Sequence, residues 1–184
     1  MKKLFLKITI IATIISIIAT NSNAQDNKIV VPAPIQNLMK FLGRWDADAT
    51  FIIEGKTYKV VHSLNGKKTA DGNGLSIDES FTHPELGSLK GANLVGFNPY
   101  DSKIHWFSVD NMGTTHEHIG EWLTPDHLYI EHNGIRDGKN FVEKIDLTFK
   151  GKDQMDLKLV ATLDGKEIER AEGIYHRKVA TVKK

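Results

Sequence analysis

The feature that most constrains the fold is a hydrophobic period of two residues, which recurs along the chain. Between residues 43 and 53 the odd positions are apolar and the even positions are largely polar. The same alternation returns over residues 155–164, and again over 141–149, where only Glu143 interrupts the apolar face. A period of two places successive side chains on opposite faces of an extended strand. Each segment is therefore predicted to be a β-strand with one face in a core and one in water.

Turn signals divide the rest of the chain into strands of about 6–10 residues. Asparagine–glycine, aspartate–glycine and similar pairs recur at short intervals, with no helix-length segment between them. Parallel neighbours would need such crossover segments. The predicted fold class is therefore all-β, an antiparallel meander of about ten strands that removes its edges by closing into a barrel. One short helix is predicted at residues 34–41, where Ile35, Leu38 and Leu42 recur at helical spacing.

The first 24 residues have the pattern of a secretory signal peptide. Lys2, Lys3 and Lys7 are followed by an uncharged run over residues 8–20, and residues 22–24 form a small-x-small cleavage pattern. The alternative is an uncleaved membrane anchor, but the run is shorter than the roughly 20 residues that span a bilayer. We expect a bacterial periplasmic or secreted protein with no membrane partner after cleavage. Residues 25–33 are then a flexible lead-in, 34–178 the barrel domain and 179–184 a C-terminal tail.

Charge and cysteine content exclude several classes of function. The chain has 24 Lys and Arg against 23 Asp and Glu, and loss of the three lysines in the signal leaves 21 against 23, a net charge of −2. Such a domain lacks the positive surface that nucleic acids require, so no nucleic-acid partner is expected. Because the chain has no cysteine, disulfides, thiolate metal sites and a cysteine nucleophile are all excluded.

Three segments carry a family resemblance. Residues 41–45, Phe-Leu-Gly-Arg-Trp, resemble the entry to the first strand of the calycin superfamily, the lipocalins and fatty-acid-binding proteins. Residues 96–114 and 173–178 are similar to a family of small, often secreted bacterial domains of unknown function with a lipocalin-like barrel. The resemblance spans residues 35–178 loosely. It implies a calycin-like barrel with a ligand-holding interior, and it brings no catalytic residue with it.

A barrel of about ten strands encloses more volume than its own side chains easily fill. Ala47 and Ala49, on the face of Trp45, are small enough to leave space. We therefore predict a non-enzymatic binding protein that holds a small, largely apolar molecule in a cavity with few convergent carboxylates. The predicted cavity-lining residues are Trp45, Tyr58, His62, Phe107, His116 and His118.

The histidines support an alternative, a metal-binding or metal-dependent protein. His116 and His118 share a face because strand side chains alternate. If Asn111 and Met112 form a two-residue hairpin loop, His105 pairs with His118 and joins that face; a slip of one residue sends it to the other face. Three convergent imidazoles could hold zinc or another transition metal with an open fourth position. The sequence leaves open which face of this hairpin is inside.

A third alternative is a structural or interaction module whose barrel is filled by its own aromatic side chains. Motifs for catalysis are missing: residues 74–78, Gly-Leu-Ser-Ile-Asp, lack the closing glycine of a nucleophile elbow. Residues 72–74, Gly-Asn-Gly, lack the third glycine and the helix of a dinucleotide-binding loop. These absences favour binding over catalysis.

Overall fold

The computed structural model describes residues 31–83 and 87–178, so the predicted signal peptide, residues 25–30 of the predicted lead-in and the C-terminal tail lie outside the described residues. Its strands form one closed antiparallel barrel of ten strands, which confirms the predicted fold class. Helix α1 (Ala33–Leu38) and a 3-10 turn (Met39–Phe41) precede the barrel, close to the predicted helix. Among the described residues, no helix has the length and hydropathy needed to cross a membrane.

The strands follow one another around the barrel in chain order. They are β1 (Gly43–Ile53), β2 (Lys56–Thr69), β3 (Gly74–His83), β4 (Gly87–Asn98), β5 (Lys103–Asp110), β6 (Thr115–Thr124), β7 (His127–Arg136), β8 (Lys139–Phe149), β9 (Gln154–Leu163) and β10 (Lys166–Lys178). Strand β1 closes the barrel by pairing with β10, where Trp45 lies opposite Arg177. Side chains alternate between the interior and the outer surface, as strand geometry requires.

One end of the barrel is closed by a floor, formed by Leu38, Phe41, Trp45 and Phe149, all buried. The ring of Phe41 packs edge-to-face on that of Phe149, with centroids 4.9 Å apart. The indole nitrogen of Trp45 donates a hydrogen bond to the Phe41 carbonyl at 3.3 Å. Glycine is required at position 66 of β2, because a Cβ atom there would overlap this same carbonyl. The interior space of the barrel therefore lies toward the opposite end.

Arg177 of β10 packs against the floor on the same face of the sheet as Trp45. Its guanidinium carbon lies 4.2 Å from the ring centroid of Trp45, a cation–π contact. The same guanidinium donates to the backbone carbonyl of Lys40 at 2.9 Å and to that of Leu42. One side chain thus ties the segment after α1 to both β1 and β10.

The hairpin of β5 and β6 corrects the predicted register by one residue. The structure pairs Trp106 with His118 and His105 with Ile119. Because the side-chain period is two, this slip places His105 on the face opposite to His118. The predicted convergence of His105 with the other two histidines is therefore wrong.

The turn between these strands explains the slip. Three residues, 111–113, form the loop instead of two, and Gly113 adopts a left-handed φ of 86° that glycine tolerates without strain. The carboxylate of Asp110 accepts hydrogen bonds from the backbone N–H groups of Met112 at 2.8 Å and Thr114 at 3.0 Å. A three-residue hairpin loop with a left-handed last residue is a common type, and its extra residue shifts the register of every pair that follows.

Candidate functional site

The interior beyond the floor contains a cavity of about 260 Å³. It extends from Trp106, next to the floor, to Asp110 and Met112 at the β5–β6 turn. Its walls are mainly apolar and include Phe51, Phe81, Ile130, Leu147, Leu157 and Leu159. This cavity contradicts the third alternative, which requires aromatic side chains to fill the interior of the barrel.

Strand β6 turns its histidines into this cavity, which answers the question that the sequence left open. His118 is 2% exposed, and both His116 and His118 border the cavity. The intervening Glu117 and the following Ile119 are exposed on the outer face. His62 of β2 also borders the cavity and is buried.

The other three residues predicted to line the cavity lie elsewhere. Trp45 is fully buried in the floor. The ring of Tyr58 packs against that of His83, with centroids 4.4 Å apart, and does not border the cavity. Phe107 is on the outer face and 45% exposed, because the inner face of β5 carries Trp106 and Ser108. Strand alternation predicts which face a side chain is on, but not its height along the barrel axis. For this reason the sequence-based prediction wrongly assigned Trp45 and Tyr58 to the cavity wall.

His105 likewise lies outside the cavity. Its Nδ1 is 2.7 Å from Oε1 of Glu117 and its Nε2 is 2.8 Å from Oδ2 of Asp101. The hydrogen bond to Glu117, and to a smaller extent the one to Asp101, raises the pKa of His105 above its usual value of 6.5. The residue predicted as a third metal ligand is therefore part of an ion cluster on the outer surface.

One wall of the cavity carries a polar network centred on His62. Its Nε2 lies 2.8 Å from Oε1 of Glu79, and its Nδ1 lies 2.5 Å from the hydroxyl of Tyr175. Asn93 donates to Oε2 of Glu79 at 3.3 Å and accepts a hydrogen bond from the indole N–H of Trp106 at 2.9 Å. Since an ionised carboxylate can only accept, a neutral His62 donates from Nε2 and accepts from Tyr175 at Nδ1.

The pKa values in this network follow from its contacts. Burial alone would raise the pKa of Glu79, but the hydrogen bonds from His62 and Asn93 hold it below its usual value of 4.5. Burial, and then the negative charge of Glu79, raises the pKa of the Tyr175 phenol. The network thus keeps one carboxylate ionised and one phenol protonated inside the barrel, with both His62 nitrogens paired.

A second polar group in the cavity consists of His116, His118 and Glu143. Nε2 of His118 lies 2.7 Å from Oε1 of Glu143, while Nδ1 of His118 is buried and has no hydrogen-bond partner. Potential ligand atoms of the three residues, one from each, all lie within 4.8 Å of one another. Two imidazoles and a carboxylate in this arrangement could bind a metal ion or the polar group of an organic ligand.

A third imidazole packs beside this cluster. The ring of His132 lies 5.5 Å from that of His116 and 5.8 Å from that of His118, between centroids. Its Nδ1 is bonded to the backbone carbonyl of Glu117 at 2.8 Å. Burial, together with the charges that His118 and His132 carry when protonated, lowers the pKa of His116. The cluster therefore favours a neutral His116.

Glu169 of β10 adds a further carboxyl to the cavity wall. A register shift between Glu167 and Glu169, opposite β9, marks a bulge in β10. Burial, and then the negative charge of Glu143, raises the pKa of Glu169 to about 7. The expectation of few convergent carboxylates is therefore wrong, because Glu79, Glu143 and Glu169 all border the cavity.

These three carboxyl groups, Asn93 and Tyr175 are polar site residues that the sequence-based prediction missed. A signal for two of them was present. Glu143 interrupts an otherwise apolar face, and Glu79 does the same between Ile77 and Phe81 on β3. A charged residue on the buried face of a strand needs a partner, so each marks a polar site in the interior. No comparable signal marks Glu169, because the bulge sets its direction.

Of the comparisons with known proteins, the one with solved structures supports the fold described above, a closed antiparallel β-barrel. No protein-family model matches the sequence, and no curated protein matches it. Among solved structures, the chain is similar to the S-type phycobiliprotein lyase CPES from Guillardia theta, with a TM-score of 0.55 and 12% sequence identity. The match covers 85% of this chain and 99% of the lyase chain. At this identity the likeness shows the fold alone.

Proposed function

We propose that this chain is an exported, non-enzymatic binding protein that holds a small, largely apolar molecule inside the barrel. The observation that carries the proposal is the apolar-walled cavity of about 260 Å³ above the floor. Cavities for drug-sized ligands measure roughly 300–1,000 Å³, so this one suits a smaller molecule. The calycin-like fold supports the same function, since larger barrels of this type enclose ligands.

The polar groups of the cavity would orient the ligand. They lie in two places, the network around His62 and the cluster of His116, His118 and Glu143. A few fixed polar groups in an apolar cavity give orientation and specificity, while the apolar walls supply most of the binding free energy. The expected ligand is therefore an apolar molecule with one polar group.

Export is the part of the proposal that rests on the sequence. The charged, apolar and small segments of residues 1–24 support delivery to the bacterial periplasm or the medium. The slightly negative net charge of residues 25–184 supports a partner other than nucleic acid. Measuring the N-terminus of the protein recovered from a bacterial periplasm tests this part, with Gln25 as the expected first residue.

Binding can be tested with N-phenyl-1-naphthylamine, a small neutral dye that fluoresces in apolar surroundings. We expect the full chain to bind one dye and Ala171→Phe to abolish binding, because Ala171 is 2% exposed and borders the cavity. Ile174→Phe is the matched control, since Ile174 lies on the same strand and is 54% exposed on the outer face. If the wild-type chain binds no dye, or both variants bind it equally, the cavity is not the binding site.

A further inference from the structure

We propose that His116, His118 and Glu143 form a binding site for one divalent transition-metal ion, with Zn²⁺ as the reference ion. The site deepens the proposed function, because it lies in the same cavity and would present the ion to the bound molecule. It differs from the site predicted from the sequence, which required His105. The ion would be held by one nitrogen of each histidine and one carboxylate oxygen.

The backbone brings these three side chains together without help from any loop. His116 and His118 are two residues apart on β6, so both side chains point into the barrel. Glu143 reaches them from β8, where it lies opposite His132 of the intervening strand β7. Each ligand therefore projects from a strand, and rigid strands hold a site more accurately than loops do.

The distances suit an ion after small side-chain rotations. The ligand atoms lie within 4.8 Å of one another. Bonds of about 2.0–2.1 Å to a tetrahedral zinc ion would place them roughly 3.3 Å apart. Rotation about the side-chain bonds of the three residues would bring their ligand atoms to this spacing while the strands stay in place.

An unmet hydrogen-bonding group in the cluster points independently to a ligand. His118 is 2% exposed, and its Nδ1 has no hydrogen-bond partner although its Nε2 is bonded to Glu143. A buried nitrogen without a partner is unfavourable and is rare in folded proteins. An ion shared by His118 and Glu143 would bind at Nε2 in place of the proton between them, and the Nδ1–H group would then donate to the bound molecule. By contrast, both nitrogens of His62 are paired within the described network.

The chemistry of the ligands selects the class of metal. Two imidazoles and one carboxylate suit Zn²⁺ and other transition metals, whereas Ca²⁺ and Mg²⁺ require more oxygen ligands. Three protein ligands leave the fourth position of a tetrahedral ion free. Because His116 and Glu143 both border the cavity, that position would be filled by water or by a donor atom of the bound molecule.

The test is a titration of the full chain, made without a histidine tag and stripped with a chelator, with Zn²⁺ alone. Calorimetry and native mass spectrometry are expected to show one equivalent bound. Glu143→Gln, which preserves shape, and His118→Ala are each expected to weaken binding by about 100-fold or more. His105→Ala is the matched control, because His105 is bonded to two carboxylates on the outer face and should not affect the affinity.

Each outcome is decisive for the site. Absence of bound zinc, or zinc binding that survives His118→Ala and Glu143→Gln with their folds intact by circular dichroism, would overturn the proposal. Loss of zinc with His105→Ala would overturn it as well, since it would assign the ion to the outer cluster. The proposed binding function is tested independently of the metal site. The dye-binding assay with Ala171→Phe uses metal-free protein, so its result does not depend on whether zinc binds.

Discussion

Nε2 of His118 lies 2.7 Å from Oε1 of Glu143 inside the barrel, and the two side chains are 3% and 16% exposed. The two residues come from β6 and β8, on either side of β7. Their contact is one of two places where polar side chains interrupt the apolar wall of the cavity. A buried polar pair contributes little net stability, but the loss of one partner leaves the other uncompensated.

Replacement of Glu143 by leucine is therefore expected to lower the free energy of unfolding by about 2–4 kcal/mol, because it leaves both nitrogens of His118 unpaired. The double variant His118→Phe/Glu143→Leu should recover most of this loss, since no buried polar group then remains. Urea denaturation of the two single variants and the double variant measures the coupling. Additive losses would show that the contact does not stabilise the barrel.

The pKa of Glu169 predicts a pH-dependent stability. Its ordinary value is 4.5, and burial and Glu143 raise it to about 7 in the folded chain. The folded state thus keeps a proton that the unfolded state loses, and stability falls as the pH rises from about 4.5 to 7. Glu169→Gln should be neutral at pH 4 and stabilise by about 1–3 kcal/mol at pH 8.

Glu167→Gln provides the control for this effect. Glu167 is exposed and bonded to Arg170, which lowers its pKa. Its replacement should therefore give no stabilisation at pH 8. Thermal unfolding of both variants across the pH range checks the difference. An equal response of the two variants would mean that Glu169 is not held in the barrel interior.

Arg177→Lys is expected to destabilise the fold by about 1–3 kcal/mol. Lysine cannot reproduce the planar stacking on Trp45 together with hydrogen bonds to the carbonyls of Lys40 and Leu42. Arg170→Lys, at a solvent-exposed ion pair with Glu167, should have a much smaller effect because water screens the pair. Chemical denaturation measures both, and similar losses would contradict the role of Arg177 in holding the floor.

The ion cluster on the outer face predicts the titration of His105. The hydrogen bonds that His105 donates to Glu117 and Asp101 raise the pKa of His105 above 6.5. The stabilisation from this cluster is therefore complete below pH 6.5 and is lost as the pH rises through the raised pKa. Asp101→Asn should lower the pKa measured by NMR, whereas Asp137→Asn, in the β7–β8 turn, should leave it unchanged. A His105 that titrates at 6.5 or below would contradict the observed register of β5.

Much of the fold could be predicted from local patterns. The alternation around Trp45 and the closely spaced turns predict an antiparallel barrel, because a strand's two faces are encoded by neighbouring residues. The inward direction of His62 could be predicted in the same way. The register of β5 with β6 could not, since it depends on whether Gly113 belongs to the loop. One residue in that turn decides the place of His105.

The residues of the site were harder to predict, for a related reason. His116 and His118 lie on one strand, whereas Glu143 joins them from another strand across β7. Which residues meet inside a barrel depends on the height of each residue along the barrel axis and on the stagger of the strands, as well as on sequence periodicity. The sequence shows Glu143 as a charged residue on an apolar strand face, but it does not indicate that Glu143 contacts His118. Glu169 depends on a bulge, which changes the direction of a side chain without a local hydrophobic signal.

The most direct test of the binding cavity is a methyl NMR titration of the full chain with N-phenyl-1-naphthylamine. Leu157 and Leu159 border the cavity, while Leu94 and Ile174 are exposed on the outer face at 57% and 54%. Binding in the cavity predicts large shifts for the methyl groups of Leu157 and Leu159, with those of Leu94 and Ile174 unchanged. Shifts confined to Leu94 and Ile174, or no shifts at all, would contradict a ligand-binding interior.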